Sequence, residues 1–324
     1  VDVVIVDLSE SREKALNIAL NKAQGDWDFP KLKDLLLEID TGEFDIGITG
    51  FDEKEIEDLM NQLFIPDENE KDDDVPEVPE EPITKKGDLY KLGEHRLLCG
   101  DATNVDDVER LMDGQKADMV FTDPPYGMFL DADYSDMEGI GKGNKYKNII
   151  GDHEDFSIEL INTIFANFNY CKEVFMWGAD YYAEVIPNRN NGCFIVWDKM
   201  RGGDGVNDDY DKMFGSNFEL CWSKTKHKRA IVRVLWKGIF GLSSQDSKKR
   251  LHPTQKPIEL CDWFIDKFSN KDNLIIDLFG GSGSTLIACE KLKRKCYMME
   301  IDPMYCDVIV KRWEDYTGKK AELI

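Results

Sequence analysis

The 324-residue sequence predicts an α/β protein: a seven-stranded, mostly parallel sheet with helices on both faces, preceded by a small N-terminal α/β accessory segment. Three observations carry this prediction. From residue 88 onward short apolar runs alternate with stretches of helical periodicity, the pattern of strand–helix repeats that build a parallel sheet. Two of those runs pass directly into loops rich in proline or glycine, near 123–127 and 280–284. Before them, residues 65–82 form an acidic, proline-rich linker without apolar periodicity, which marks a domain boundary.

In chain order, Val1 to Val6 read as a strand that opens without Met, as though continuing a longer protein. Ser9 or Ser11 then caps a helix with apolar Ala15, Leu16, Ile18, Ala19 and Ala23, ended at Gly25. Pro30 suits the first turn of a second helix whose apolar face is Leu32, Leu35, Leu36 and Ile39. Asp52 and Glu55 form a capping box for a third, reaching about residue 63. These are scaffold signals in an accessory module, residues 1–64, with no acid–base or metal constellation. The linker follows, with four prolines and nine acidic residues against the lone Lys71 between 66 and 82.

The main domain, 83–324, carries the seven strand patterns: 95–99, 119–122, 174–177, 193–197, 218–222, 274–279 and 296–301. Helical patterns near 104–113, 157–168, 257–268, 284–293 and 303–316 lie between most of them. No helix separates 193–197 from 218–222, so these two read as a hairpin with an antiparallel strand at the sheet edge.

A net charge of −23 argues against a nucleic-acid partner until it is located along the chain. Residues 1–82 hold 7 Lys or Arg against 25 Asp or Glu, a net of −18, which leaves −5 for the rest. Within that rest, residues 224–256 carry 10 Lys or Arg against the single Asp246, with Trp236, Phe240 and His252 interleaved. Such a strip suits phosphate contacts. Lys248, Lys249 and Arg250 are its densest part. The eight cysteines are scattered without a Cys-x-x-Cys pair and several lie in apolar runs, which reads as reduced thiols of a cytoplasmic protein. No apolar run approaches the length of a membrane span.

The segment from Val120 to Gly127 joins a buried-strand pattern to a rigid turn. Pro124 and Pro125 fix φ near −65° and push Asp123 into an extended conformation. The Asp123 carboxylate and the Pro124 carbonyl can then accept from one amino group, with the Tyr126 ring as a stacking face. An exocyclic base amine fits all three. At the other glycine-rich turn, Asp277 to Thr285, the Lys of a phosphate-binding loop and the third glycine of a dinucleotide fingerprint are both missing. Bare glycine backbone there admits a ligand closely, and Asp277 at the strand end suits an ammonium group. Glu300 ends the next strand, where a carboxylate accepts from ribose hydroxyls.

Asp123-Pro124-Pro125-Tyr126 after an apolar strand resembles the catalytic motif of the amino-group DNA methyltransferases, which use S-adenosylmethionine to methylate adenine N6 or cytosine N4. With the catalytic motif first and the glycine loop last, residues 83–318 resemble the β-type order of that family. The resemblance implies a Rossmann-like methyltransferase sheet in which the strands ending at Asp123 and Asp277 are neighbours. It implies a cofactor site in which Asp101 contacts adenine and Glu300 the ribose. Thr254 and Lys256, within the matching segment from His252 to Pro257, would line the methionine pocket. Asp277, Phe279, Gly280, Gly281, Gly283, Ser284 and Thr285 would hold the methionine end. Trp197-Asp198-Lys199 resembles a strand end of the family whose role is unassigned. The N-terminal helices are similar to the tail of a ParB-like domain.

On this resemblance the chain is expected to be a site-specific adenine-N6 methyltransferase of double-stranded DNA, without a metal, in a bacterial cell or phage-infected host. Asp before Pro-Pro-Tyr accompanies adenine more often than cytosine in the family, and cytosine-N4 is the alternative. A catalytically idle DNA-partition or scaffolding protein with the same fold is the alternative of a different class, and intact Asp123, Tyr126, Gly281 and Glu300 argue against it. Base contacts are expected from loops near 127–153, 199–217 and 224–250. Neither the recognition sequence nor the oligomeric state is legible, a homodimer being one arrangement.

Overall fold

The structure, a computed structural model, describes residues 13, 16–18, 20, 49–50, 74–125, 158–199, 216, 218–234 and 255–324. The chain divides into two compact units, Val1–Glu68 and Asn69–Ile324. In the first, helical residues 16–18 bury Ile18, in keeping with the apolar spacing there. The opening strand and the helices expected from Pro30 and Asp52 lie outside the described residues. So does 65–73 of the linker, while 74–82 has no helix or strand.

In the second unit the described strands form one sheet. They are β1 (Leu89–Leu92), β2 (His95–Cys99), β3 (Met119–Thr122), β4 (Glu173–Trp177), β5 (Cys193–Asp198), β6 (Phe218–Ser223), β7 (Ile231–Arg233), β8 (Leu274–Asp277), β9 (Lys295–Glu300) and β10 (Glu322–Leu323). Their order across the sheet is β10-β1-β2-β9-β8-β3-β4-β6-β5-β7. The central strands β2, β9, β8, β3 and β4 are parallel. β3, β4 and β8 are buried along their whole length, which explains why they read as continuous apolar runs rather than alternating ones.

Alternate side chains of these strands meet helices on opposite faces. On one face Val120, Val174, Met176 and Ile276 join a core with α1 (Val105–Met112) and α2 (Ile158–Phe168). On the other, Phe121, Phe175 and Trp177 pack around Phe264 of α3 (Ile258–Phe268), with ring centroids 5.2–5.4 Å apart. Next to α3 lies α4 (Ser284–Leu292), and α5 (Pro303–Thr317) covers β2 and β9. Caps fix the helix ends. Asn104 accepts from the Asp106 amide and Asp302 from the Met304 amide, and Pro303 occupies the first turn of α5.

All seven expected strands are present, but among the described residues the sheet has ten. β7 and β10 have three and two residues, too few for any periodicity to register, and are strands only because β5 and β1 offer them hydrogen bonds. β1 is joined to β2 by a two-residue turn, with Gly93 at φ 62°. The expected β5–β6 hairpin forms, but its antiparallel strand is not at the edge: β6 lies between β4 and β5 and pairs antiparallel with both. Local pattern reveals the hairpin, whereas long-range pairing decides which arm turns inward.

β5 enters the sheet at Gly192, where a Cβ atom would stand 2.1 Å from the Ser223 carbonyl oxygen and 2.8 Å from the Trp222 ring. Both neighbours belong to an interior strand and cannot give way. Gly192→Ala should therefore destabilise the domain by about 1–3 kcal/mol, read as a lower midpoint in thermal denaturation. An unchanged midpoint would show that β5 and β6 do not approach so closely.

Candidate active site

β3 and β8 lie side by side, with Met119 opposite Ile275 and Val120 opposite Ile276. The chain leaves β3 toward β4 on one side and β8 toward β9 on the other, so strand order reverses between them, the place where open α/β sheets bind ligands. Their carboxyl ends are tied together. Thr122 Oγ1 donates to Asp277 Oδ1 at 3.0 Å across 155 positions of sequence, and it accepts from the Leu278 amide at 3.3 Å. Asp277 also accepts from the Phe279 amide at 3.1 Å and from Thr285 Oγ1 at 2.6 Å. Three of the roughly four lone-pair directions of its carboxylate thus organise the loop, and one remains. Burial pushes Asp277 up to about 7 against the opposing effect of these donors.

The glycine loop follows. Gly281 and Gly283 hold φ at 52° and 83°, in the left-handed region. A Cβ on Gly280 would lie 2.9 Å from Met298 and 3.1 Å from Ile309, so this glycine lets the loop seat on β9 and α5. Glu300 closes the loop from the next strand: Oε2 accepts from the Gly281 amide at 2.7 Å and Oε1 from the Asp302 amide at 2.9 Å. Burial raises it to about 7 as well, again against its backbone donors. Ser284 Oγ donates to the Lys256 carbonyl at 2.8 Å, and the buried Arg312 donates to the Ser282 carbonyl at 2.9 Å. Phe279 is half-buried beside them. Asp101 lies just past β2, where Cys99 pairs with Glu300 and the Gly100 amide donates to the Glu300 carbonyl at 3.0 Å. Asp101 Oδ1 holds its own turn through the Thr103 amide and hydroxyl. Asp101, Asp277 and Glu300 therefore stand at the carboxyl ends of three neighbouring strands.

Asp123 directly follows β3, with Pro124 buried and Pro125 half-buried behind it. Its Oδ2 accepts from Lys256 Nζ at 2.5 Å. Lys256 also stands 3.2 Å from Glu219 Oε2, and Glu219 Oε1 meets Lys199 Nζ at 2.5 Å. The two ammonium groups lie over the Trp177 and Trp197 rings, at 5.0 and 5.1 Å. The residue expected in a methionine pocket thus presents its backbone to the glycine loop and its charge to Asp123. Lys199, a motif residue without a role, gains a partner. Glu219 escapes sequence reasoning because a single acid inside the apolar stretch 218–222 reads as a solvated strand position. The one available signal is its spacing: residues 219 and 221 share a face, and Cys221 is fully buried there.

The basic strip divides. Lys224 donates to the Cys171 carbonyl at 2.9 Å, and His227 pairs with Glu173 at 2.8 Å while stacking on Phe175. These residues follow β6, which runs against β4, and so lie at the end of the sheet opposite Asp123. β7 runs back parallel to β5 and returns the chain to the Asp123 end at Arg233, which lies 3.5 Å from Asp198. Lys248, Lys249 and Arg250, together with Tyr126, Thr254 and the segments 127–153 and 200–215, lie outside the described residues. Among the described residues no cluster of His, Cys, Asp or Glu could hold a metal, and no helix is long and apolar enough to cross a membrane.

A family profile described as DNA methylase, spanning the N6 and N4 methyltransferases, matches residues 140–311, more than half of the chain. The chain belongs to this DNA methylase family. A second profile, the HTH domain of ParB-methyltransferases, matches residues 30–86 of the methylase. It is 32% identical to the type II methyltransferase M2.MboI of Moraxella bovis over 230 residues, 62% of this chain and 81% of that protein. To M.HpaI of Haemophilus parainfluenzae, also a type II methyltransferase, it is 24% identical over 245 residues, 68% of this chain and 74% of that one. Among solved structures, the crystal structure of an M1.HpyAVI–SAM complex aligns at a TM-score of 0.43 and 20% identity, covering 67% of this chain and 97% of that one.

Proposed function

We propose that this DNA methylase transfers a methyl group from S-adenosylmethionine to N6 of an adenine swung out of double-stranded DNA. The observation that carries the reading is the juxtaposition of Asp123, opening an Asp-Pro-Pro-Tyr turn, with the glycine loop of the neighbouring strand β8. The donor set fits a cofactor with ammonium, sulfonium and ribose groups: three carboxylates at adjacent strand ends, bare glycine backbone, and no loop lysine that would demand a phosphate. Glu300 and Asp101 would take the nucleoside end. Asp277 and the segment from Phe279 to Thr285 would take the methionine end, with Thr254 and the Lys256 backbone beside it. Bound there, the cofactor supplies an electrophilic methyl group.

The protein's own part is positioning and charge placement. Asp123 accepts one N–H of the target amine and the Pro124 carbonyl the other, which turns the nitrogen lone pair out of ring conjugation. Asp123 removes no proton beforehand, since the amine becomes acidic only after it has been methylated. Extruding the base costs a few kcal/mol, and stacking on Tyr126 offsets about 1–3 kcal/mol of it. Phosphate contacts are assigned to Lys248, Lys249 and Arg250. Neutralising all three should weaken DNA binding and flatten the slope of log affinity against log salt by about one for each phosphate no longer neutralised; an unchanged slope would remove them from the interface.

Cofactor affinity should depend on pH. Asp277 and Glu300 are both pushed up to about 7 by burial, and ribose hydroxyls and an ammonium group bind the ionised forms. Because both folded-state values lie above the unfolded ones, these groups cost the free protein stability as pH rises from about 4 to about 7. Affinity measured by calorimetry should accordingly rise between about pH 6 and 7.5, where the cofactor's own amine is still protonated. A flat or falling profile would separate these carboxylates from the cofactor.

The chemical outcome is N6-methyladenine in duplex DNA incubated with the protein and S-adenosylmethionine, identified by mass spectrometry of the digested nucleosides. Asp123→Ala should abolish it. Detection of N4-methylcytosine alone would replace adenine by cytosine and leave the mechanism standing, whereas undiminished methylation by Asp123→Ala would remove the role argued for that carboxylate.

A further inference from the structure

Glu219 belongs to no motif, yet it is one side chain removed from Asp123. It projects from β6 directly opposite Trp197 of β5, on the face shared with Cys221 and Trp177. One of its oxygens meets Lys199 Nζ at 2.5 Å and the other Lys256 Nζ at 3.2 Å, while Lys256 reaches Asp123 Oδ2 at 2.5 Å. The result is a chain of alternating charge, Lys199–Glu219–Lys256–Asp123, assembled from four separate segments and ending at the carboxylate that the proposed reaction uses.

An ammonium group with one carboxylate beside it concentrates its charge, and one or two of its three N–H donors, on that group. If Asp123 were the sole partner of Lys256, the lysine would compete with the target amine for the same lone pairs. Held between two carboxylates, it keeps Asp123 ionised while leaving it acceptor capacity. Resting on the reading of Asp123 as the acceptor of the target amine, we propose that Glu219 is a positioning residue for methyl transfer: it shares Lys256 with Asp123 and thereby sets how strongly Asp123 accepts from the amine.

Glu219 and Lys256 keep their charges across any practical assay range. Burial pushes Glu219 up, but Lys256 and Lys199 outweigh it and hold the group at about 2. Burial likewise acts to lower Lys256, and Asp123 and Glu219 overcome it, raising the ammonium above its ordinary range. Among the described residues, the other titratable groups that face this chain include Asp277 on β8, Cys221 on β6, and Tyr181 and Tyr182 beyond β4. Burial drives Tyr182 and Cys221 well upward, so both remain neutral. Asp277, which burial raises to about 7, is the same residue in every variant compared.

The test is the pH dependence of the single-turnover methylation rate on duplex DNA at saturating S-adenosylmethionine. Removing a positive neighbour raises the pKa of Asp123 and removing a negative one lowers it. Lys256→Met should therefore move the acid limb to higher pH by about one to three units. Lys199→Met should move it the same way by less, Glu219→Gln should move it to lower pH, and the double variant Glu219→Gln/Lys256→Met should return it close to wild type. A merely structural role lowers rates without displacing the limb. Lys199 is the more exposed of the two lysines, so its variant reads the effect even if a buried one does not fold. Acid limbs that stay in place in the lysine variants, or an upward displacement in Glu219→Gln, would overturn the proposal alone. A wild-type protein that methylates no DNA would overturn the proposed function, and this inference with it.

Discussion

The pairing of β3 with β8 is the constraint on which the rest of the site depends. It brings together two loops that are 155 positions apart in sequence, and the hydrogen bond from Thr122 to Asp277 locks the strand ends in register. Thr122 is the last residue of β3 and Asp123 the next in the chain, so the same strand that anchors the glycine loop aims the Asp123 carboxylate. The loop side is equally determined. Asp277 accepts three hydrogen bonds and Glu300 two from backbone amides and hydroxyls of their own surroundings. Such preorganisation fixes the bare backbone of Gly281, and a loop already held by hydrogen bonds loses little further entropy when a ligand occupies it.

Charge is handled differently on the two sides of this junction. At the ends of β8 and β9, Asp277 and Glu300 are buried with neutral donors, and burial raises both to about 7. Toward β4, β6 and β5 the carboxylates are paired with lysines, and Glu219 stays fully ionised. Burying a charge is costly unless it is paired and hydrogen-bonded. The lysine–carboxylate chain pairs its charges with two ammonium groups, each over a tryptophan ring that adds to its stabilisation. A site with a titrating half and a permanently charged half suits one that receives a cationic cofactor on one side and a neutral amine on the other.

The basic strip shows how a one-dimensional charge pattern divides once the chain folds. Its first residues lie where β6 ends, at the far end of the sheet, and there Lys224 and His227 satisfy carbonyls and Glu173. Only after β7 reverses direction does the chain return to the Asp123 end. Of the described residues in this run of like charge, Lys224 and His227 therefore lie at one end of the sheet and Arg233 at the other.

The sequence by itself determined what short-range physics controls. Buried parallel strands require unbroken apolar runs, glycine is needed at positive φ, two prolines rigidify a turn, and Asn104 and Asp302 cap helices. Seven of the ten described strands, the glycine loop, Asp123 and Glu300 were legible for these reasons. The tertiary structure alone decided what depends on contacts between distant segments. β7 and β10 are too short to carry a pattern and exist through their neighbours' hydrogen bonds. The inward place of β6 follows from its pairing with β4, and the assembly of Glu219, Lys199 and Lys256 on Asp123 follows from that placement. A lone glutamate in an apolar strand has no periodicity to reveal it; its partners come from other strands, and only the register of β5, β6 and β4 sets its carboxylate between two lysines.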